Sequence, residues 1–180
     1  WHFDGAVGRM PDRTRYETVD VVGWSLGDRS AADWVMSTDI PVRRFTAVGG
    51  TLTPIDRRLG IPPLVFDRTA DHFGEDTLEG FLLNMTGSIE AARRLRGTER
   101  TLDSLGRELR LLRDTYRGTP FEGDLRARVQ TLAAVIPEAD RIVPAAAQRR
   151  AWEALSVTPV STGEPHWCPA ALQKAIDAKI

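Results

Sequence analysis

Gly23-Trp24-Ser25-Leu26-Gly27 follows the β-branched run Val19-Asp20-Val21-Val22, and residues 28–38 after it suit a helix. The glycines therefore lie at a predicted turn from a strand to a helix, which is the setting that a Gly-x-Ser-x-Gly motif requires. Because glycine has no Cβ, the chain can turn sharply there and hold the serine in a strained, exposed position. The following helix directs backbone N–H groups at any oxyanion beside Ser25. The alternative is a glycine-rich turn with an idle serine, so the motif needs a downstream acid and histidine.

The composition is that of one globular domain. The chain has 180 residues, of which 42% are hydrophobic and 27% charged, and its net charge of −1 does not favour nucleic-acid binding. No window holds the ~18 consecutive apolar residues of a membrane helix. No secretory signal is visible, although the chain begins with Trp1 rather than Met. The single cysteine, Cys168, allows no internal disulfide, so we expect a cytoplasmic protein without a membrane partner.

The order of elements predicts an α/β fold with a parallel sheet. A second strand is predicted at 42–48, before Gly49-Gly50. A strand, a helix and another strand imply a right-handed crossover, which places the carboxyl end of the second strand beside Ser25. After a helical segment the pattern returns as a strand at 129–136, a helix at 145–155, a short strand at 156–160 and a helix ending at 180.

Residues 51–123, called here the insertion, have helical rather than strand periodicity. Apolar residues at 78–85 have helical spacing, and a longer helix is expected at about 98–116. Residues 93–117 hold eight arginines and four acids, a local balance of +4. This face is either a solvated helix surface with intrahelical ion pairs or a landing surface for an acidic partner.

Asp140 and His166 supply the acid and the histidine. Asp140 follows a predicted strand and His166 lies in the loop after the next one, so both are expected at the carboxyl edge of the sheet with Ser25. The order serine, aspartate, histidine is that of an α/β-hydrolase triad. Glu138 and Asp124 remain alternative carboxylates. Taken singly, a turn aspartate and a polar loop histidine are the simpler interpretations.

The other histidines give no second site. His2 precedes the motif, and His72 belongs to the insertion, where a helix surface is the expected position. The sequence contains no HExxH or CxxC spacing, no Gly-x-Gly-x-x-Gly and no phosphate-binding loop. We therefore predict neither a metal ion nor a cofactor.

These residues resemble the BioG-type pimeloyl-[acyl-carrier protein] methyl ester esterases of biotin synthesis, which have the α/β-hydrolase fold. The resemblance covers roughly residues 19–168. Its most specific part is Gly60-Ile61-Pro62-Pro63, which is not a general hydrolase motif. The similar segments are Gly23–Gly27, Gly50–Asp56, Leu59–Pro63, Phe66, Thr69, Arg100–Leu109, Asp140–Pro144, Gln148 and Trp152.

The resemblance implies roles for four site residues. Ser25 would be the nucleophile, His166 the general base and acid, and Asp140 the carboxylate that orients the imidazole. The backbone N–H of Leu26 would donate to the oxyanion. The family's enzymes hydrolyse the methyl ester of a carrier-bound pimeloyl chain.

The resemblance also implies a division of the chain and a partner. Residues 1–50 and 124–180 would form the hydrolase core, and the insertion would be a helical lid. Its arginines would meet the acidic acyl-carrier protein that presents the substrate. Trp24, Arg107 and Arg110 are the residues expected to bind substrate.

Several positions depart from the family pattern. Gly23 replaces an alanine, Leu26 a methionine and Gly49 an asparagine, and Asp28 places a carboxyl beside the nucleophile unless it caps the helix. The first strands and the oxyanion loop of the family have no counterpart in the 24 residues before Ser25. We expect either an N-terminally shortened piece or a protein without activity. The alternatives are therefore a general α/β-hydrolase, such as a lipase, thioesterase or peptidase, and a binding-only relative.

Overall fold

A sheet of four parallel strands organises the part of the chain that this computed structural model describes, residues 16–96 and 101–179. The strands follow one another in space in the order of the sequence. They are β1 (Val19–Trp24), β2 (Val42–Val48), β3 (Val129–Pro137) and β4 (Val160–Thr162). The parallel sheet predicted from the sequence is confirmed, and each carboxyl end points to the same edge.

Seven α-helices and one 3-10 turn connect and cover the described strands. None of these helices is long and apolar enough to cross a bilayer. They are α1 (Gly27–Ser37), α2 (Pro63–Asp71), α3 (Glu75–Thr86), α4 (Ile89–Leu95), α5 (Leu102–Tyr116), the 3-10 turn Leu125–Arg128, α6 (Ala145–Ala154) and α7 (Pro169–Ile176).

The carboxyl-terminal parts of β2 and β3 are buried on both faces, and alternate residues supply two different cores. On β2, Phe45 and Ala47 belong to a cluster with α1 and with Trp152 of α6, whereas Val48 belongs to a cluster with Ala171 of α7. This two-residue alternation is the geometry of a pleated strand covered by helices on both sides. The result is a three-layer arrangement with helices on each face of the sheet.

The insertion carries a third apolar cluster of its own. Phe66 and Ala70 of α2 pack with Leu112 and Tyr116 of α5, and the side chain of Leu26 packs against them. The remaining members and neighbours of this cluster are Ile55, Ile61, Val143, Leu109 and Ile142. The helices of the insertion therefore rest on the carboxyl edge of the sheet, beside the Ser25 turn.

Several local predictions were incomplete or wrong. The last helix ends at Ile176 rather than at 180, and helix α4 was not predicted. The strand expected at 156–160 is not formed, because Ser156 adopts a φ of 56° in the turn after α6 and Val157 packs into the core instead. The strand begins at Val160. Helix α2 was not predicted, although Pro63 at its first turn is a helix-start signal.

Candidate active site

Ser25 occupies the turn between β1 and α1 in a strained conformation. Its φ is 58°, a left-handed value that residues with a Cβ rarely adopt. Its backbone N–H donates to the carbonyl of Val48 at 2.9 Å, which fixes the turn against β2. Such strain persists only where the surrounding structure imposes it, and it is concentrated at functional sites. The predicted strand–turn–helix setting of the motif is present.

Two glycines near Ser25, Gly23 and Gly50, lie so close to neighbouring atoms that a Cβ would not fit. A Cβ on Gly50 would lie 2.1 Å from the carbonyl oxygen of Ser25, and one on Gly23 would lie 2.4 Å from Oδ1 of Asp28. By contrast, a Cβ on Gly27 would meet nothing within 4 Å. The expectation that both motif glycines are sterically required therefore holds for Gly23 but not for Gly27. Gly50, to which the sequence analysis gave no such function, is the second required position.

A continuous hydrogen-bond chain joins Ser25, His166 and Asp140. Nε2 of His166 lies 2.8 Å from Oγ of Ser25, and Nδ1 lies 2.7 Å from Oδ2 of Asp140. His166 is 2% exposed and Ser25 is 8% exposed, so these hydrogen bonds are shielded from water. With Nδ1 protonated towards the carboxylate, Nε2 is free to accept the proton of the serine hydroxyl.

Four donors hold the Asp140 carboxylate. Oδ1 accepts from the backbone N–H groups of Ile142 at 2.7 Å and Val143 at 2.9 Å. Oδ2 accepts from Nε2 of Gln148 at 2.9 Å as well as from His166. Gln148 is fully buried, and the sequence analysis assigned it no function although it is part of the family resemblance. These four bonds fix the orientation of the Asp140 carboxylate.

The alternative carboxylates are engaged elsewhere. Glu138 is bonded to Arg149 and to the hydroxyl of Ser161. Asp124 accepts from the backbone N–H of Ala127 and caps the 3-10 turn. Of the three carboxylates considered from the sequence, only Asp140 bonds to His166 in the described chain.

Trp24 contacts His166. Its Nε1–H donates to the carbonyl of His166 at 3.1 Å, and the two ring centroids are 5.3 Å apart. Trp167 packs edge-on against Trp24. The backbone N–H of Trp167 donates at 2.8 Å to the carbonyl of Met85 in α3. The histidine loop is therefore held by β1 on one side and by the insertion on the other.

Asp28 does not act as the helix cap that the sequence allowed. It lies inside the first turn of α1, whose N-cap is Leu26, and no side chain caps the helix. Asp28 is fully buried, Oδ1 accepts from the N–H of Val48 at 3.3 Å, and Oδ2 has no partner in the described chain. Burial raises the pKa of this carboxyl well above its ordinary value, against the opposing effect of the Val48 bond. The neutral form is therefore favoured, and the expected negative charge beside the nucleophile is suppressed.

Leu26 stands where α1 begins, so its N–H belongs to the unpaired first turn of the helix. This position suits an oxyanion donor beside Ser25. Residues 1–15, which include His2, lie outside the described chain. His72 ends α2, is exposed, and lies within bonding distance of the Arg68 carbonyl, away from the triad.

The two predicted arginine contacts are on α5. Arg107 is exposed and forms an ion pair with Asp103 at 3.2 Å, one helical turn away. Arg110 is partly exposed, with its guanidinium near Gly106, and has no ion-pair partner in the described chain. Neither is hydrogen-bonded to the triad. Among the described residues, no group of three or more histidine, cysteine or carboxylate side chains is arranged to hold a metal ion.

Solved structures of hydrolases share this fold. The BioG structure from Haemophilus influenzae superposes with a TM-score of 0.80 at 24% identity, covering 94% of this chain and 76% of that chain. An esterase from Exiguobacterium antarcticum gives a TM-score of 0.62 at 12% identity, covering 93% and 67%. The bromoperoxidase from Bacillus anthracis gives 0.59 at 14%, also covering 93% and 67%. At these identities the likeness shows the fold alone, and it confirms the predicted α/β architecture.

Sequence comparison is more specific. A malonyl-[acyl-carrier protein] O-methyltransferase from Bacteroides fragilis (strain 638R) is 31% identical over 140 residues, which are 77% of this chain. The chain spans only 28% of the length of that relative. Residues 10–167 match the family described as pimeloyl-ACP methyl esterase BioG. Since this match spans most of the sequence, the chain belongs to the BioG family.

Proposed function

We propose that this chain is a serine carboxylesterase that hydrolyses the methyl ester of pimeloyl-[acyl-carrier protein] in biotin synthesis. The observation that carries the proposal is the bonded series of Ser25, His166 and Asp140, with Ser25 held at a φ of 58°. Membership of the BioG family supports the choice of substrate. Ser25 is the nucleophile, His166 the proton carrier and Asp140 the orienting group.

The first half of the reaction forms an acyl-enzyme. Oγ of Ser25 attacks the ester carbonyl while Nε2 of His166, 2.8 Å away, takes the hydroxyl proton. Asp140 stabilises the imidazolium through Nδ1–H. The backbone N–H of Leu26 donates to the oxyanion of the tetrahedral intermediate. His166 then returns the proton to the leaving oxygen, so methanol departs and the acyl chain remains on Ser25.

The second half repeats the same steps with water. His166 removes a proton from water, which attacks the acyl-enzyme carbonyl, and the oxyanion again forms beside Leu26. Collapse of this intermediate returns the proton to Oγ of Ser25. The products are the free serine and a carboxylic acid, which ionises at neutral pH.

The insertion is the proposed lid, and residues 1–50 with 124–180 are the proposed core. The apolar cluster of the insertion adjoins Leu26. A hydrocarbon chain that approaches Ser25 therefore meets apolar rather than charged side chains on that side. Arg107 and Arg110 remain proposed substrate-binding residues. Trp24 remains a proposed substrate contact, although its described bonds are to His166.

The test is hydrolysis of two substrates by this chain. One is carrier-bound pimeloyl methyl ester and the other a short free ester, with Ser25→Ala as the matched inactive variant. We expect rapid cleavage of the carrier-bound ester that Ser25→Ala abolishes. Cleavage of the free ester alone would support a general hydrolase instead. No Ser25-dependent cleavage of either ester would support a binding-only relative.

A further inference from the structure

Most of the described arginines at α4 and α5 form ion pairs with acids of the insertion. Residues 51–123 contain 11 arginines and 12 acidic residues, so this segment has a net charge of −1. The structure pairs arginines of α4 and α5 with acids both within a helix and across helices. These pairs are Arg94–Glu90, Arg96–Glu75, Arg107–Asp103, Arg113–Asp71 and Arg117–Asp67. The helical part of the insertion is thus a weaker positive surface than the sequence balance over 93–117 indicates.

A second group of arginines is not neutralised in this way. Arg57, Arg58, Arg141 and Arg150, called here the junction arginines, are all exposed, and none forms an ion pair with an acid in the described chain. The guanidinium of Arg150 donates to the carbonyl of Arg58 at 3.1 and 2.8 Å, so α6 and the first loop of the insertion meet there. This contact satisfies hydrogen bonds but leaves both positive charges uncompensated.

The junction arginines lie beside the candidate active site. Arg141 directly follows Asp140, and the next residues, Ile142 and Val143, belong to or pack against the apolar cluster that includes Ile55 and Ile61. Those two isoleucines flank the loop that carries Arg57 and Arg58, and they are joined by a β-bridge. Leu26, next to Ser25, packs against the same cluster. The segments that carry Arg57, Arg58 and Arg141 therefore adjoin the same apolar cluster as Leu26, at the boundary between core and insertion.

The acids near this surface only partly offset its charge. Asp56 accepts from the backbone N–H groups of Arg58 and Leu59, which turns its carboxylate towards the loop backbone. Glu153 lies about one turn after Arg150 on α6. Four arginines against these two carboxylates leave a positive patch. Guanidinium groups bind carboxylates and phosphates through paired hydrogen bonds, so such a patch suits an acidic protein surface.

We propose that the junction arginines dock the acidic acyl-carrier protein so that its acyl chain reaches Ser25. This inference rests on the proposed function for its choice of partner. It differs from the expectation for Arg107 and Arg110, because it assigns docking to the loop at 57–58 and the turn at 141 rather than to a helix face. Charge complementarity next to the nucleophile is the reason for the assignment.

Two charge-matched triple variants test the assignment. One is Arg57→Gln/Arg58→Gln/Arg141→Gln, which keeps Arg150 and its bond to the Arg58 carbonyl. The other is Arg94→Gln/Arg107→Gln/Arg110→Gln on the insertion helices. Each is made in the active chain and in a Ser25→Ala background. The active chain gives KM and kcat, and the Ser25→Ala background gives the Kd for pimeloyl-methyl-ester carrier protein without turnover.

For the junction triple we expect Kd and KM for the carrier-bound ester to rise about tenfold or more. The kcat and KM for a short free ester should stay unchanged, and the salt dependence of carrier binding should flatten. The triple variant on the insertion helices should raise the Kd for the carrier protein less than the junction triple variant does. A larger loss in the helix triple, or carrier affinity in the junction triple equal to that of the parent, would overturn the proposal. Carrier binding without ester cleavage in the parent would count against the proposed function and leave the docking assignment supported.

Discussion

At the scale of single residues, Asp140→Asn keeps the size of the side chain but replaces a carboxylate oxygen by an amide group beside His166. In Asp140→Asn, an amide N–H would face the donors of His166 or Gln148, which now converge on Oδ2. We expect the histidine to lose its productive tautomer and kcat to fall on the order of 10⁴-fold. Turnover of a short free ester measures this without any contribution from a carrier protein.

Glu138→Gln is the matched control for that variant. Glu138 bonds Arg149 and Ser161 rather than His166, so its kcat should equal that of the parent. Full activity in Asp140→Asn, or a comparable loss in Glu138→Gln, would contradict the assignment of the orienting carboxylate.

Trp24 offers a test of whether it binds substrate or positions the histidine. Trp24→Phe keeps an aromatic ring against His166 but removes the Nε1–H bond to the His166 carbonyl, now 3.1 Å long. Loss of one such bond predicts a decrease in kcat of about five- to tenfold. The KM for a short free ester should change little if the tryptophan acts through His166. An increase in KM with unchanged kcat would instead support direct substrate binding.

Asp28 predicts a pH dependence of stability. Burial raises the pKa of its carboxyl in the folded state, so above the unfolded value of about 3.9 the folded state binds more protons than the unfolded state. The contribution of Asp28 to the free energy of unfolding is therefore fully present below about pH 3.9 and is lost as pH rises towards the folded pKa.

Asp28→Asn should remove this dependence. Urea unfolding of the parent and the variant between pH 4 and pH 8 measures it. We expect the stability of the variant relative to the parent to increase with pH across this range. A difference that is constant with pH would contradict a buried, neutral Asp28.

At the scale of elements, Gly50 and Gly27 form a natural pair for comparison. In Gly50→Ala the new methyl would lie 2.1 Å from the Ser25 carbonyl oxygen, so the β2 terminus and the serine turn must separate. We expect a loss of about 3 kcal/mol in the free energy of unfolding, with a loss of activity. Gly27→Ala has open space and a helical position, so it should change stability by less than about 0.5 kcal/mol. Equal stability of the two variants would contradict the close approach.

The sequence predicts elements well where packing and propensity agree. The bounds of β2 coincide with the prediction, because its apolar residues near the carboxyl end are buried on both faces of a parallel sheet. The run at 156–160 also contains β-branched residues, yet Val157 packs into the core after a turn instead of forming a strand. Composition alone does not distinguish a strand from a buried turn of this kind.

The site shows a similar division. The order of Ser25, Asp140 and His166 along parallel strands is enough to predict that their side chains meet, and they do. The bond of Gln148 to Asp140 and the close approach at Gly50 depend on distances across the fold. No spacing along the chain reports those distances. Their catalytic roles remain proposals.

At the scale of the whole molecule, Arg29 connects the core to both ends of the insertion. Its guanidinium donates at 3.1 Å to the carbonyls of Leu52 and Thr119, and it lies over the rings of Tyr116 and Phe121. Arg29→Met keeps the stem but leaves two carbonyls without their charged donor. We expect a loss of about 3 kcal/mol in the free energy of unfolding, from denaturant titration.

Arg43→Gln is the control for Arg29, because Arg43 forms an exposed pair with Asp20 and exposed pairs contribute about 0–1 kcal/mol. If both variants lose the same stability, Arg29 is not the connection between core and insertion. The charge distribution of the molecule belongs to this scale too. The excess of arginine at 93–117 is visible in the sequence, whereas its neutralisation by Glu75, Asp71 and Asp67 requires the folded helices.

The bond from the Trp167 N–H to the Met85 carbonyl has a consequence for how the enzyme could admit a substrate. Any outward swing of α3 breaks this bond, and the freed backbone is adjacent to His166. The alignment of His166 is therefore expected to depend on the position of α3, because this bond joins the backbone next to the histidine to that helix. Proton transfer at Ser25 would then be sensitive to changes in α3 that leave all three triad residues intact.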